Sequence, residues 1–199
     1  FLYLDENDIK QYASVFNDYI KNYYVSTKKL FDIYKTIEAY KKPDMVVHDI
    51  CDSEIFTPIN LERFEIENIK DREIVIGWVG NSARKVGEVD LKGLHSIIRP
   101  VIEELKEEGF NIREDYADRN VRWRTTEEMP EFYSGIDICL CTSIHEGTPR
   151  PVLEAMYSGI PIISTDVGIV GEAFGKMQKD YIIGDRENGC NDEEIRKNL

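Results

Sequence analysis

The apolar positions of this chain change their period along its length. In the first third they recur at helical spacing. Residues 8–21 predict a helix, and Leu30, Phe31, Tyr34, Ile37 and Tyr40 predict a second over residues 28–41. Asp5, Asn7 and Asp8 offer caps for the first, and Pro43 stops the second. Residues 23–26 form a short β-prone run, and residues 45–48 predict a strand. Residues 50–70 read as a connector, with Pro58 and a charged tract from Glu62 to Lys70.

From residue 73 the pattern becomes an alternation of strands and helices. Residues 74–79 are a continuous apolar run, as a parallel strand covered on both faces requires. A polar loop with three glycines follows over 80–93, then an amphipathic helix marked by Leu94, Ile97, Ile98, Val101, Ile102 and Leu105 that ends near Gly109. Pro100 falls in its first turns, where a missing N–H costs least. Residues 110–113 and 121–124 predict short strands and 127–134 a short helix. Strands at 136–141, 160–165 and 181–183, a helical turn near 169–174 and a last helix from Asn191 complete the chain. This order predicts an α/β fold: a Rossmann-like doubly wound parallel sheet, preceded by a partial N-terminal α/β segment.

Composition narrows the chemistry. The formal net charge is -13 over 199 residues, which argues against a nucleic-acid partner. A local basic pocket can still be built from Arg84, Lys85, Lys92, Arg122 and Arg124. No apolar run has the length of a membrane span, and no signal peptide is visible. The chain opens at Phe1 rather than Met, as an excised piece of a longer protein would. Cys51, Cys139, Cys141 and Cys190 form no CxxC pair and read as buried small apolar groups in a reducing compartment. The three histidines show no metal-ligand spacing.

The densest chemistry lies between two predicted strands. Glu146 and Glu154 flank a Gly/Pro turn and the start of a helix, in Glu146-Gly-Thr-Pro-Arg-Pro-Val-Leu-Glu154. Strand–loop–helix–strand units place such residues at the carboxyl ends of the strands, where open α/β sheets bind ligands. Carboxylates accept bonds from sugar hydroxyls, and helix N-termini attract phosphate, so the group suits a sugar nucleotide.

The residues in this order resemble the nucleotide-sugar-binding domain of retaining glycosyltransferases of the GT-B fold (glycosyl transferases group 1, or family 4). The resemblance rests on Gly77-Trp-Val-Gly80, Lys92-Gly93, the Glu146/Glu154 pair with Leu153-Glu-Ala-Met156 and Gly159-Ile-Pro161, and Thr165-Asp-Val-Gly168 with Glu172. Residues 24–30 and 46–58 are similar to the end of the family's acceptor domain and its crossover, with His48-Asp49-Ile50 in place of the usual Asn-Gly. The resemblance implies three parts: residues 1–60 as the tail of the N-terminal acceptor domain, 61–72 as linker, and 73–199 as a donor domain truncated at its C-terminal end. The rest of the acceptor domain would be missing.

It also implies roles. Glu146 would lie against the transferred sugar and Glu154 would bind the ribose hydroxyls. Lys92 would take the charge of the leaving diphosphate, helped by Arg84 or Lys85, since the family's arginine after the glycine turn is replaced by Asn81. Gly80 and Gly77 would let the backbone approach the donor. Gly147, Thr148 and Arg150 would face the diphosphate or sugar, although Arg150 equally fits a solvated surface charge. Arg122, Trp123 and Arg124 fall where relatives cradle the base. Trp123 fits either a stacking wall or a core position.

The activity implied is transfer of a hexose from a UDP- or GDP-linked sugar to a hydroxyl on a saccharide or lipid-linked acceptor, as in polysaccharide or lipopolysaccharide biosynthesis. It would be retaining and would need no metal or other cofactor. The place would be the cytoplasm, with peripheral attachment to the inner membrane an option for a lipid-linked acceptor. The piece alone would be inactive. The competing expectations are a non-catalytic sugar-nucleotide-binding module and another GT-B enzyme, such as a nucleotide-sugar epimerase or a sugar-phosphate synthase.

Overall fold

The computed structural model describes residues 6–69 and 72–199, so the expected Asp5 cap lies outside the described residues. Its centre is β3 (Ile74–Gly80), which pairs in parallel with β6 (Ile112–Asp118) on one side and β7 (Ile138–Cys141) on the other. β8 (Ile162–Ser164) extends the sheet beyond β7, again in parallel, to give the order β6-β3-β7-β8. The chain moves outward from β3 in one direction to β6 and then in the other to β7. The loops leaving the carboxyl ends of β3 and β7 therefore part and open a crevice.

The alternation along the strands sends side chains to two helical layers. On one face Ile76, Trp78 and Leu140 pack against Leu94, Ile98 and Ile102. These come from a π-helical turn (Leu94–Ile98) and from α4 (Arg99–Glu107), into which it runs. Pro100 sits in the first turn of α4, and Gly109 lies just beyond its end at a φ of 98°, a conformation that favours glycine. On the other face Val75, Cys139 and Cys141 pack with Tyr133 and Ile136 and with Val152 and Ala155. Tyr133 belongs to α5 (Met129–Gly135), and Val152 and Ala155 to α6 (Arg150–Tyr157). Gly77 faces Ile136, whose Cδ1 lies 2.3 Å from where a Cβ would stand. Its smallness therefore serves the packing of Ile136 rather than an approach to a ligand.

The N-terminal part contains α1 (Glu6–Tyr19), β1 (Tyr24–Val25), α2 (Lys28–Thr36) and β2 (Met45–Val46), with β1 and β2 paired in parallel. α2 stops at Thr36 instead of residue 41. The two later apolar residues of its pattern lie in a turn beyond its end, which brings Tyr40 to stack on Phe16 at 4.7 Å. The connector is not featureless. Cys51 and Phe56 enter the main core, and a 3₁₀ turn (Leu61–Phe64) and α3 (Ile66–Ile69) follow. Arg72 then grips Asp137 at the start of β7 with two 2.7 Å bonds.

Three other expectations change. The glycine-containing loop 80–93 holds an antiparallel hairpin, β4 (Lys85–Val86) with β5 (Val89–Asp90). The strand expected at 110–113 is the start of the seven-residue edge strand β6, whereas residues 121–124 are turn and coil. Residues 181–183 contribute one bridge, Ser164 to Ile182, rather than a strand. The described chain ends with α7 (Val170–Ala173) and α8 (Asp192–Asn198), the latter capped reciprocally by Asn191 and Glu194. Among the described residues no helix is long and apolar enough to cross a membrane.

Candidate functional site

The crevice at the carboxyl ends of β3 and β7 holds a cleft of about 480 Å³. β3 delivers Gly80 and Asn81, and the turn after β6 delivers Arg119, whose amide donates to the Gly80 carbonyl at 2.8 Å. Asp118 fixes this junction by accepting from the amides of Ser82 (3.1 Å) and Asn120 (2.9 Å). Burial pushes the Asp118 carboxyl up, but bonds from Ser82 and Asn120 outweigh it and hold it below its ordinary value.

Lys92 reaches the cleft because Asp90 shapes the chain around it. The buried Asp90 carboxylate accepts from the amides of Lys92, Gly93, His95 and Ser96, at 3.1, 3.0, 2.8 and 3.2 Å. The helix entry is thus closed by the protein's own carboxylate. Gly93 stands at a φ of 73°, with Thr142 Oγ1 only 2.4 Å from where a Cβ would be, so no other residue fits between the two loops. Across this contact Lys92 Nζ forms an ion pair with Glu146 Oε1, which also accepts from Ser143 Oγ at 3.0 Å.

Glu154, just over one turn into α6, is nearly buried at the other wall. Tyr133 Oη donates to its Oε2 at 2.9 Å. Burial, together with the neighbouring Cys139 and Glu154, raises the Tyr133 phenol well above its ordinary value, so it stays a neutral donor. Arg150 Nε lies 3.6 Å from Glu154 Oε1, but most of its side chain is in solvent, and such a pair is weak. Thr148 Oγ1 lines the cleft and has no hydrogen-bond partner among the described residues.

The cleft thus gathers Gly80, Asn81, Arg84, Lys92, Arg122, Trp123, Arg124, Glu146, Thr148, Arg150 and Glu154. Two expected residues stand apart. Lys85 is exposed on the β4–β5 hairpin, and Gly147 turns toward Leu30 Cδ1, 3.4 Å from a notional Cβ. Trp123 is 60% exposed, which removes the core alternative, and Arg119 stacks on it with its guanidinium 4.1 Å from the ring centre. Arg124 is partly engaged in structure, donating to the Tyr116 carbonyl at 3.1 Å. Arg119, Asp90 and Tyr133 are additions that the sequence did not single out.

The sheet order and its layers define a Rossmann-like α/β domain of the GT-B fold. Residues 119–196 match the family model described as Glycosyl transferases group 1. No curated protein matches the sequence. Among solved structures, HepE from Anabaena, in complex with UDP and glucose, is 12% identical with a TM-score of 0.64 over 98% of this chain and 57% of that one. The pneumococcal O-GlcNAc transferase GtfA, in complex with UDP and GlcNAc, is 17% identical with a TM-score of 0.62, over 96% of this chain and 39% of that one. Sucrose-phosphate synthase from Thermosynechococcus elongatus is 17% identical with a TM-score of 0.55, over 92% and 49%. This chain therefore spans about half, or less, of the solved proteins whose fold it shares.

Proposed function

We propose that this chain is the donor-binding part of a glycosyltransferase that moves a hexose from a UDP- or GDP-linked sugar to a hydroxyl of a saccharide or lipid-linked acceptor. One observation carries the reading. In a chain of net charge -13, the cleft at the sheet's switch point is lined by six cationic side chains (Arg84, Lys92, Arg119, Arg122, Arg124 and Arg150) and two carboxylates, Glu146 and Glu154. That set suits a diphosphate flanked by hydroxyl-bearing sugars. The family match, and the UDP or UDP-glucose found in the complexes of HepE and GtfA, support it. On this reading residues 1–60 are the end of the acceptor-side domain, 61–72 the linker and 73–199 the donor domain.

In the proposed reaction the acceptor oxygen bonds to the anomeric carbon as the bond from that carbon to the β-phosphate oxygen breaks. The acceptor proton passes to the leaving phosphate oxygen, and anomeric configuration is retained. Lys92 and Arg84 take up the charge developing on the diphosphate, so no resident cofactor is called for. Glu146 lies against the sugar, where an anion favours positive charge at the anomeric carbon. Glu154 binds the ribose hydroxyls, and Thr148 Oγ1 offers a hydroxyl to the donor. Trp123, backed by Arg119, stacks on the base.

Calorimetric titration with UDP, GDP and ADP and their common sugar conjugates tests this. One diphosphate should bind selectively, and both Lys92→Ala and Glu154→Ala should weaken it. Equal, weak binding of all three that neither change affects would refute the donor site.

A further inference from the structure

The two loops that carry Lys92 and Glu146 follow the neighbouring strands β3 and β7 but are distant in the chain, and they are stitched together. Ile144 N donates to the Leu91 carbonyl at 3.0 Å, and Thr142 Oγ1 to the Lys92 carbonyl at 2.9 Å. A third tie comes from outside both loops. Arg186, whose side chain is 2% exposed, donates to the Thr142 carbonyl at 2.5 Å and to the Asp90 carbonyl at 3.2 Å. Nη2, which donates to the Asp90 carbonyl, also donates to Asp192 Oδ1 at 2.6 Å, in the first turn of α8. One planar guanidinium therefore spans one backbone carbonyl from each loop, two residues before Lys92 and four before Glu146. Asp192 balances its buried charge. No part of Arg186 lines the cleft.

We propose that Arg186 is a positioning residue, which sets the separation of Lys92 and Glu146 by bridging the carbonyls of Asp90 and Thr142. The inference rests on the donor-site reading above for what that separation is for. The physical case is the fork itself. A guanidinium holds its donors in one rigid plane, whereas an ammonium on a flexible stem supplies the same charge without the same span. Arg186→Lys thus keeps the charge facing Asp192 and loses the bridge. Misplacing a binding group by a fraction of an ångström to about 1 Å is enough to cost on the order of tenfold or more.

Two readouts on the full chain test this. The first needs no ligand: amide hydrogen exchange at Gly93 and Ile144 should quicken at least about tenfold in Arg186→Lys, while Cys139 in β7 and Thr165, just beyond β8 with its amide on the Cys141 carbonyl, exchange as before. The second is affinity for UDP and GDP. It should fall about tenfold in Arg186→Lys, with no further fall when the change is made in a Lys92→Ala background. Arg186→Met should show the same pattern at least as strongly. Wild-type exchange at Gly93 and Ile144 overturns the inference, as does a uniform rise at all four amides. An equal affinity loss in the Lys92→Ala background also overturns it, because Arg186 would then act on stability and not through Lys92. If the unaltered chain binds neither nucleotide, the donor reading fails, and the exchange pattern still decides whether Arg186 sets the two loops.

Discussion

Lys92 and Glu146, 54 positions apart in the chain, meet as an ion pair in the cleft, with Ser143 donating to the same carboxylate oxygen. The cation proposed above to take up the charge of a diphosphate is thus already partnered. On the proposed donor site, a diphosphate competes with Glu146 for Lys92. Glu146→Gln keeps the shape and removes the competing charge, so UDP or GDP alone should bind about two- to fivefold more tightly, in line with a partly exposed pair worth about 0.5–1 kcal/mol. If the proposed reaction holds, transfer by the full-length protein should fall at least about 100-fold, since the anion assigned to the anomeric carbon is gone. Calorimetry and a product assay read the two effects separately. Weaker nucleotide binding by the variant would contradict the competition.

The two tryptophans occupy opposite environments. Trp78 is 1% exposed and edge-on to Tyr116, whereas Trp123 is 60% exposed at the mouth of the cleft. A base stacking on Trp123 should quench only that ring. Nucleotide addition is therefore expected to lower the tryptophan fluorescence of the protein and to leave that of Trp123→Ala unchanged. The same variant should lose roughly 1–3 kcal/mol of binding, the usual worth of base–aromatic stacking. Quenching that persists without Trp123 would place the base elsewhere.

Tyr133 ties Glu154 to the core. Its buried hydroxyl is the donor that holds one carboxylate oxygen, leaving the other toward the cleft. Tyr133→Phe should cost about 1–2 kcal/mol of stability, because a buried acceptor loses its partner. It should also reduce nucleotide affinity a few-fold by freeing Glu154 to rotate. Since burial keeps the phenol protonated far above its ordinary range, the wild-type contribution should stay flat from pH 7 to pH 10. Loss of affinity through that window would show that the phenol titrates there.

Much of the sheet and most of the site were legible because their signals are local. The doubly covered strand β3 is an unbroken apolar run, and the motif around Glu146 and Glu154 carries its turn and helix start within nine residues. Only the start of the edge strand β6 is legible, at 110–113, because the residues of the strand, Ile-Arg-Glu-Asp-Tyr-Ala-Asp, are largely polar. Its charges are satisfied by tertiary partners, Arg113 with Glu73 and Glu114 with Lys106, that no apolar pattern announces. The helix assigned to 28–41 was too long because Ile37 and Tyr40 keep helical spacing while packing from a turn. Tyr133, Arg119 and Arg186 act on groups far away in sequence, at Glu154, Gly80 and Thr142, and these partners become visible only when the loops are in place. Asp90 binds amides within six residues of itself, but no apolar pattern marks that turn.

Asp137 gives the fold an acid-sensitive anchor away from the cleft. It takes two 2.7 Å bonds from Arg72 and one from the Val75 amide at 2.7 Å, with Arg63 Nε at 3.5 Å. Burial raises its pKa, but the Arg72 and Val75 bonds and the two positive charges outweigh that and hold the folded carboxyl below its ordinary value. In the unfolded chain it titrates near 3.9. The folded state therefore binds fewer protons. The stabilisation is fully present above the unfolded pKa and is lost as pH falls through the lower folded value. Asp137→Asn should cost about 3–5 kcal/mol at pH 7, because it leaves two arginines facing each other without their carboxylate. Urea unfolding of both proteins between pH 7 and pH 3 should show a gap that is constant down to about pH 5 and shrinks below about pH 4. A gap that stays constant to pH 3 would mean that packing at this position, and not the ion pair, joins the connector to the sheet.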